Sequence, residues 1–450
     1  MLARSAASAS LARSAAARSF FKSANTAAQV AVDEEFPGVP APSPRARAAP
    51  KIEVSVTPAG VKIASSNAEP LVTTLGVQLA TGVRDETDET AGISQLFAKM
   101  AFRATDARSD LRLFRDIEAI GGVVNKAAGR DFVRYSISVL PDHAEAAAQI
   151  LAETTLAPRF AQWDIDAQKV QVRTELELLA GSPSSLVAEG VHAAAFYDDV
   201  SLGRPLVSVE NLAKFGAEDL WKFYETYVNS ANAAVFGSGI EHSDLANLVG
   251  SYFSDLPAGS AAPHAAAKYV GGESRVKTAA PVTHVALGFE TVGKRDALYG
   301  SAHVLRAVLA GRLNAKFASA FYTPYIDGGL VGFSGHAANA DVGALVDSFA
   351  AEIKSLATTS VSAEELAVAK TVASLNILST IGSRNGATAL VGLLGVVQAP
   401  APAPLSLAES ATAKSVQELA KRALASRPSV ASVGKVSAVP HVDALIAKLQ

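Results

Sequence analysis

No cysteine occurs among the 450 residues, which excludes disulfides, thiolate metal sites and cysteine nucleophiles and leaves a core held by packing. A dominant charge is also missing. Lys and Arg number 40 against 43 Asp and Glu, for a net charge of -3 and a pI near 6.3, so nothing in the balance points to nucleic acid. The longest apolar run, Ala389 to Val397 with two Gly inside, falls far short of the roughly 20 residues that cross a bilayer. The eight His include no pair three to five residues apart, so no local zinc motif is present. There is no Gly-x-Ser-x-Gly elbow and no phosphate loop, and Gly237-Ser238-Gly239 lacks the third glycine of a dinucleotide turn and reads as a strand end.

Acidic residues are absent from Met1 to Val32, where Arg4, Arg13, Arg18 and Lys22 are spread among Ala, Ser and Leu. That composition predicts a mitochondrial presequence over residues 1–20, with Arg18-Ser19-Phe20 as the processing region. Residues 33–50 carry five Pro, and 21–50 reads as a linker.

What is present is a repeat. Leu75 to Glu86 is an apolar strand, a glycine-bearing bend and a charged turn, followed by a helical stretch from Thr90 to Phe102; Val285 to Asp296, followed by a helical stretch from Ala297 to Leu309, has the same layout. Later in each half, Asp164 to Val172 opens a helix after Ala161-Gln162-Trp163, and Ser362 to Lys370 opens another with a Ser cap. Two α/β units follow, 51–255 and 273–450, joined by the Pro-, Gly- and Ala-rich segment 256–272. Each is expected to place strands on one side and helices on the other, Arg130 to Leu140 being one strand.

The stretch Thr90-Ala91-Gly92-Ile93-Ser94-Gln95-Leu96-Phe97-Ala98-Lys99-Met100-Ala101-Phe102-Arg103-Ala104-Thr105 resembles the active-site helix of the pitrilysin and mitochondrial processing peptidase family (M16), which carries an inverted zinc motif, His-x-x-Glu-His. Leu202 to Leu206, Glu210-Asn211-Leu212, Asp219-Leu220 and Tyr227 resemble its downstream landmarks, and Phe321 to Phe333 its second-domain signature. The likeness runs from about residue 51 onward and implies an α+β fold of two homologous pitrilysin-like domains forming a bowl-shaped pair.

On that frame the two zinc-ligand histidines fall on Gln95 and Lys99, and the general-base glutamate falls on Ala98. A Lys ammonium repels a divalent cation, and Ala98 offers no group to take a proton from water. Glu175 stands where the family keeps its distal glutamate ligand, and is expected to be solvated or paired with a Lys; the acidic position upstream of it corresponds to Gln168. No metal, cofactor or catalytic residue is therefore expected.

The resemblance then implies a non-catalytic subunit. One such group is the core proteins of the cytochrome bc1 complex (complex III), peripheral on the matrix side of the mitochondrial inner membrane; a second is the alpha chain of the processing peptidase, which carries a long Gly-rich loop near the start of its second domain. A third, the beta-type or core 1 chain, keeps the complete zinc motif in some organisms, and the losses at Gln95, Ala98 and Lys99 count against it. Here Leu305 to Phe317 has a single Gly and is expected to continue as a helix, which favours the core proteins. Implied partners are core protein 1, cytochrome b, cytochrome c1 and the Rieske subunit in a dimeric complex, with a presequence peptide as a further candidate ligand.

Overall fold

The computed structural model describes residues 52–67, 71–197, 201–261, 264, 266–313, 317–382, 384–397 and 404–449. The expected presequence and the linker that follows it lie outside the described residues.

The first half begins with β1 (Ile52–Val56), β2 (Lys62–Ser66) and β3 (Thr73–Leu79), then helices α1 (Ile93–Met100) and α2 (Asp110–Ala119). Strands β4 (Val123–Ala128) and β5 (Val133–Val139) precede α3 (Ala144–Leu156), α4 (Gln162–Ala180), α5 (Pro183–Phe196), α6 (Val209–Lys214) and α7 (Ala217–Tyr227). Strand β6 (Ala233–Ser238) and α8 (His242–Tyr252) close it. The second half contains β7 (Glu273–Lys277), β8 (Val282–Thr291), α9 (Tyr299–Arg312), β9 (Ala318–Pro324) and β10 (Gly329–Ala338). It ends with α10 (Val342–Thr358), α11 (Ala363–Gly382), α12 (Arg384–Val397), α13 (Pro404–Glu409), α14 (Ala413–Ala425), β11 (Ser429–Gly434) and α15 (Val442–Leu449).

The internal repeat is visible in the sheets. The first runs β1-β2-β6-β3-β5-β4 and the second β7-β11-β8-β10-β9, so that apart from the added edge strand β1 the two orders correspond strand for strand. The parallel pair is matched too: β2 with β6 in one sheet, β7 with β11 in the other. The chain is α+β, two copies of one plan.

The packing departs from strands on one side and helices on the other, because each half lends one helix to the other. Helix α5 of the first half packs on β11, β8 and β7, where Val187 and Val191 join Ala286, Ala431 and Val433. Helix α12 of the second half packs on β6, β2 and β3, where Val391 joins Ala64 and Phe236. Each sheet is thus covered on both faces, which explains why every residue of β3, β6 and β11 is buried. The approach is close because each loaned helix has a glycine at the contact. A Cβ on Gly392 would lie 2.5 Å from Gln78 Oε1, and one on Gly190 would lie 3.2 Å from Ala431 Cβ.

Polar contacts stitch the same junction. The buried Arg84 guanidinium reaches Asp131 at 3.1 Å and Asp327 of the second half at 2.7 Å, and Ile326 N–H donates to Asp131 at 2.9 Å. Both charges of the Arg84–Asp131 pair are withdrawn from water, so removing either would strand the other. Tyr269, in the segment between the halves, donates to Arg427 O at 2.6 Å, and Ala267 N–H donates to Asp327 at 2.9 Å.

Several expected boundaries move. Strand β5 starts at Val133 rather than Arg130, because Arg130 and Asp131 turn into the junction, where Arg130 pairs with Glu189 at 3.0 Å. Helix α9 spans Tyr299–Arg312 and does not continue to Phe317; Asn314 to Lys316 lie outside the described residues. Helix α4 begins at Gln162, which puts Asp164 in its first turn, beside the positive end of the helix dipole. Ser362 does cap α11, accepting from Glu365 N–H at 3.2 Å.

Candidate functional site

Helix α1 begins at Ile93, not Thr90, and the reason is Glu86. Gly92 takes the left-handed conformation at φ 100°, which aims its N–H and that of Ser94 at the Glu86 carboxylate, at 2.8 and 2.9 Å. The Ser94 hydroxyl donates to the same carboxylate. Glu86 therefore satisfies the donors that the first turn would otherwise leave unpaired. Its pKa is raised because burial outweighs these bonds and the nearby Arg204 charge. The buried side of α1, with Leu96, Phe97 and Met100, packs into the first-half core, where Phe97 sits 4.9 Å from Phe223.

The three positions corresponding to the zinc motif then present an amide, a methyl and an ammonium. Gln95 spends its amide on the chain, donating to Ala128 O on β4 at 2.9 Å. Ala98 is buried. Lys99 turns to α4, where its ammonium meets Glu175 Oε1 at 2.7 Å. The structure thus brings Lys99 and Glu175 together, as a Lys-paired reading of Glu175 requires. Gln171, one turn earlier on α4, also donates to Glu175, at 3.4 Å. Gln168 is buried on that helix.

Lys126 was not anticipated from the sequence. It projects from β4 and donates to the Lys99 backbone oxygen at 3.0 Å, and its pKa is pushed down to about 8 by burial first and then by the Arg103 and Lys99 charges. A second cation thus stands beside Lys99, where a metal site would need negative charge. Its signal in the sequence was a lone Lys in the apolar strand Val123–Ala128, which needed the strand pairing to acquire meaning. Glu86 had a clearer one, an acid six residues before a Gly that opens an apolar helix.

These residues do not fit a zinc ion. Zinc is held by His, Cys or carboxylate groups in tetrahedral array, and of the four matched positions only Glu175 has such a group, already bonded to Lys99. Among the described residues no group of three or more His, Cys, Asp or Glu side chains is placed to hold a metal.

A second feature lies at the junction of the halves, a cavity of about 630 Å³ lined by Arg134, Lys294 and Arg306 and by an apolar wall from α12. No helix among the described residues is long and apolar enough to cross a membrane.

Two family models match the chain: "Insulinase (Peptidase family M16)" over residues 62–208 and "Peptidase M16 inactive domain" over residues 214–372. Among curated relatives, a probable mitochondrial-processing peptidase subunit alpha-1 of Arabidopsis thaliana is 27% identical, the match covering 96% of this chain and 92% of the relative. Cytochrome b-c1 complex subunit 2 of Rattus norvegicus is 24% identical over 88% of this chain and 92% of its own length. The Homo sapiens form of that subunit is 25% identical over 90% and 96%.

Proposed function

Because the chain belongs to the M16 peptidase family, we propose that it is a non-catalytic member, a core subunit of the subunit 2 type in the mitochondrial cytochrome bc1 complex. The observation that carries the non-catalytic part is the Lys99–Glu175 ion pair. It ties up the remaining carboxylate of the motif with an ammonium that stands at a ligand position. Ala98 offers no base, so even a metal held by other means would lack a partner to take the proton from its water.

The core-subunit part rests on the start of the second domain. Helix α9 ends at Arg312 and β9 begins at Ala318, which leaves only Leu313 to Phe317 between them. A long Gly-rich substrate loop of the processing-peptidase alpha type has no room there. In this reading the chain works by architecture on the matrix side of the inner membrane, beside core protein 1, cytochrome b, cytochrome c1 and the Rieske subunit. It contributes no redox group. A cationic presequence would meet like charge in the junction cavity, so that cavity is not its seat in this reading.

The second reading, an alpha-type subunit that binds presequences for a catalytic partner, is favoured by the relative from Arabidopsis thaliana. A native gel of mitochondria in mild detergent separates the two. Migration at very high mass with cytochromes b and c1 supports the core subunit, whereas migration as a small heterodimer with a zinc-bearing beta chain supports the alternative. Stoichiometric zinc in the purified chain, or hydrolysis of a presequence peptide by it alone, would falsify the non-catalytic reading.

A further inference from the structure

The cavity between the halves has more positive charge than its own acids compensate. Arg134 reaches it from β5, Lys294 from the turn after β8 and Arg306 from α9. Among the described residues none of the three makes an ion pair or a hydrogen bond to an acid; Arg134 lies over the Phe132 ring at 5.1 Å. The one carboxylate in the lining, Asp131, is held by Arg84 and by Ile326 N–H. Burial lowers the pKa of Arg134, Lys294 and Arg306, so each ion stands partly out of water; Lys294 feels the Asp131 charge, which Arg84 already shares, while among the described residues Arg134 and Arg306 have no acid partner. Lys294 and Arg134 also act on one another, as do Arg306 and His303. Cations in that condition are costly unless an anion joins them.

The opposite requirement comes from α12. Val391 faces the first sheet, while Ala389, Leu390, Leu393 and Val396 turn to the cavity. The helix therefore turns one apolar face to the sheet and a second, with Leu390 and Leu393, to the cavity. Phe132 and Phe321 extend the apolar lining. A volume of about 630 Å³ suits a small molecule rather than a polypeptide. None of Gln95, Ala98, Lys99 and Glu175 lines the cavity, so this site is separate from the degenerate motif.

We propose that the junction cavity binds a single-chain anionic amphiphile, its carboxylate or phosphate headgroup held by Arg134, Lys294 and Arg306 and its chain lying along Leu390 and Leu393. Arg is suited to the headgroup because its planar fork matches carboxylate and phosphate oxygens alike. The assignment stands on the lining itself and does not depend on membership of any complex.

The test uses the purified full chain and a fluorescent long-chain polyene carboxylic acid, with the matching alcohol as the neutral probe. Saturable binding of the acid, at least tenfold tighter than the alcohol, is expected. Lysophosphatidic acid and a plain fatty acid are then compared as competitors. Displacement by either supports the site, and their ratio identifies the headgroup. Arg306→Gln and Lys294→Gln are each expected to weaken the acid at least tenfold, and for Arg306→Gln the ligand-free melting temperature stays level or rises, because a cation with no acid partner among the described residues has been removed. Leu393→Trp, which fills the apolar wall without touching a charge, is expected to abolish binding. Equal binding of acid and alcohol, or unchanged affinity in folded Arg306→Gln and Leu393→Trp proteins, overturns the proposal.

Discussion

The Tyr325 hydroxyl donates to His192 Nε2 at 2.6 Å, joining the second half of the chain to helix α5 of the first. The other ring nitrogen, Nδ1, lies 2.6 Å from Ala188 O and must therefore carry the proton. The imidazole is thus held neutral, with Nε2 as acceptor. Its pKa is pushed down to about 3, by burial first and then by the Arg130 charge.

This pair makes the junction sensitive to acid. The folded pKa lies below the ordinary value of 6.5, so between the two the unfolded chain binds more protons. The stability His192 contributes is complete above about pH 6.5 and is lost as pH falls toward 3. Thermal melts at a series of pH values are expected to fall more steeply across this window for the parent than for His192→Gln. Parallel curves for the two proteins would assign the acid sensitivity elsewhere.

At the degenerate motif, two substitutions of similar appearance should differ in cost. Lys99 and Glu175 are partly exposed, at 22% and 45%, so Lys99→Ala is expected to change stability by no more than about 1 kcal/mol. Glu86→Ala removes a buried acceptor from the Gly92 and Ser94 N–H groups and is expected to cost about 2–3 kcal/mol. Urea midpoints of the two variants measure the difference.

Zinc affinity offers a gain-of-function check. Gln95→His with Lys99→His supplies two imidazoles one helical turn apart and frees Glu175. That double variant is expected to bind zinc more weakly than the same protein with Lys126→Gln added, because the Lys126 cation remains beside the site. Isothermal titration calorimetry on both proteins reads the order of affinities, and the reverse order would show that Lys126 does not govern the local field.

Side chains added to the loaned helices should part the halves. Gly392→Val places methyl groups against Gln78 and Phe236, and Gly190→Val places them against Ala431 and Ser274. Each is expected to cost about 1–3 kcal/mol through overpacking. Gly250, with open space around its Cβ direction, is the control: Gly250→Ala should be neutral or slightly stabilising by denaturant titration.

Much of this fold was legible because the repeat is written in hydrophobic pattern. Leu75 to Glu86 and Val285 to Asp296 share one layout, and they became β3 and β8, each followed by the expected helix. The motif positions were equally plain, since Gln95, Ala98 and Lys99 need only be counted along one helix. The destination of an apolar helix face was not legible. Val187 and Val191, or Val391, show that a face is buried, but not whose sheet buries it. Long-range polar contacts were hidden for the same reason: Arg130 and Asp131 looked like the start of a strand until the second half of the chain gave Asp131 the Ile326 N–H.

The exchange of helices also bears on how such a chain is made. Helix α5 leaves the ribosome before any strand it will cover, and the sheet ending at Ser238 waits for Arg384–Val397 before its second face is closed. Contacts so distant in sequence form late, so a nascent or truncated chain would carry a bare greasy surface for most of its synthesis, an obvious client for chaperones and an early target for proteolysis.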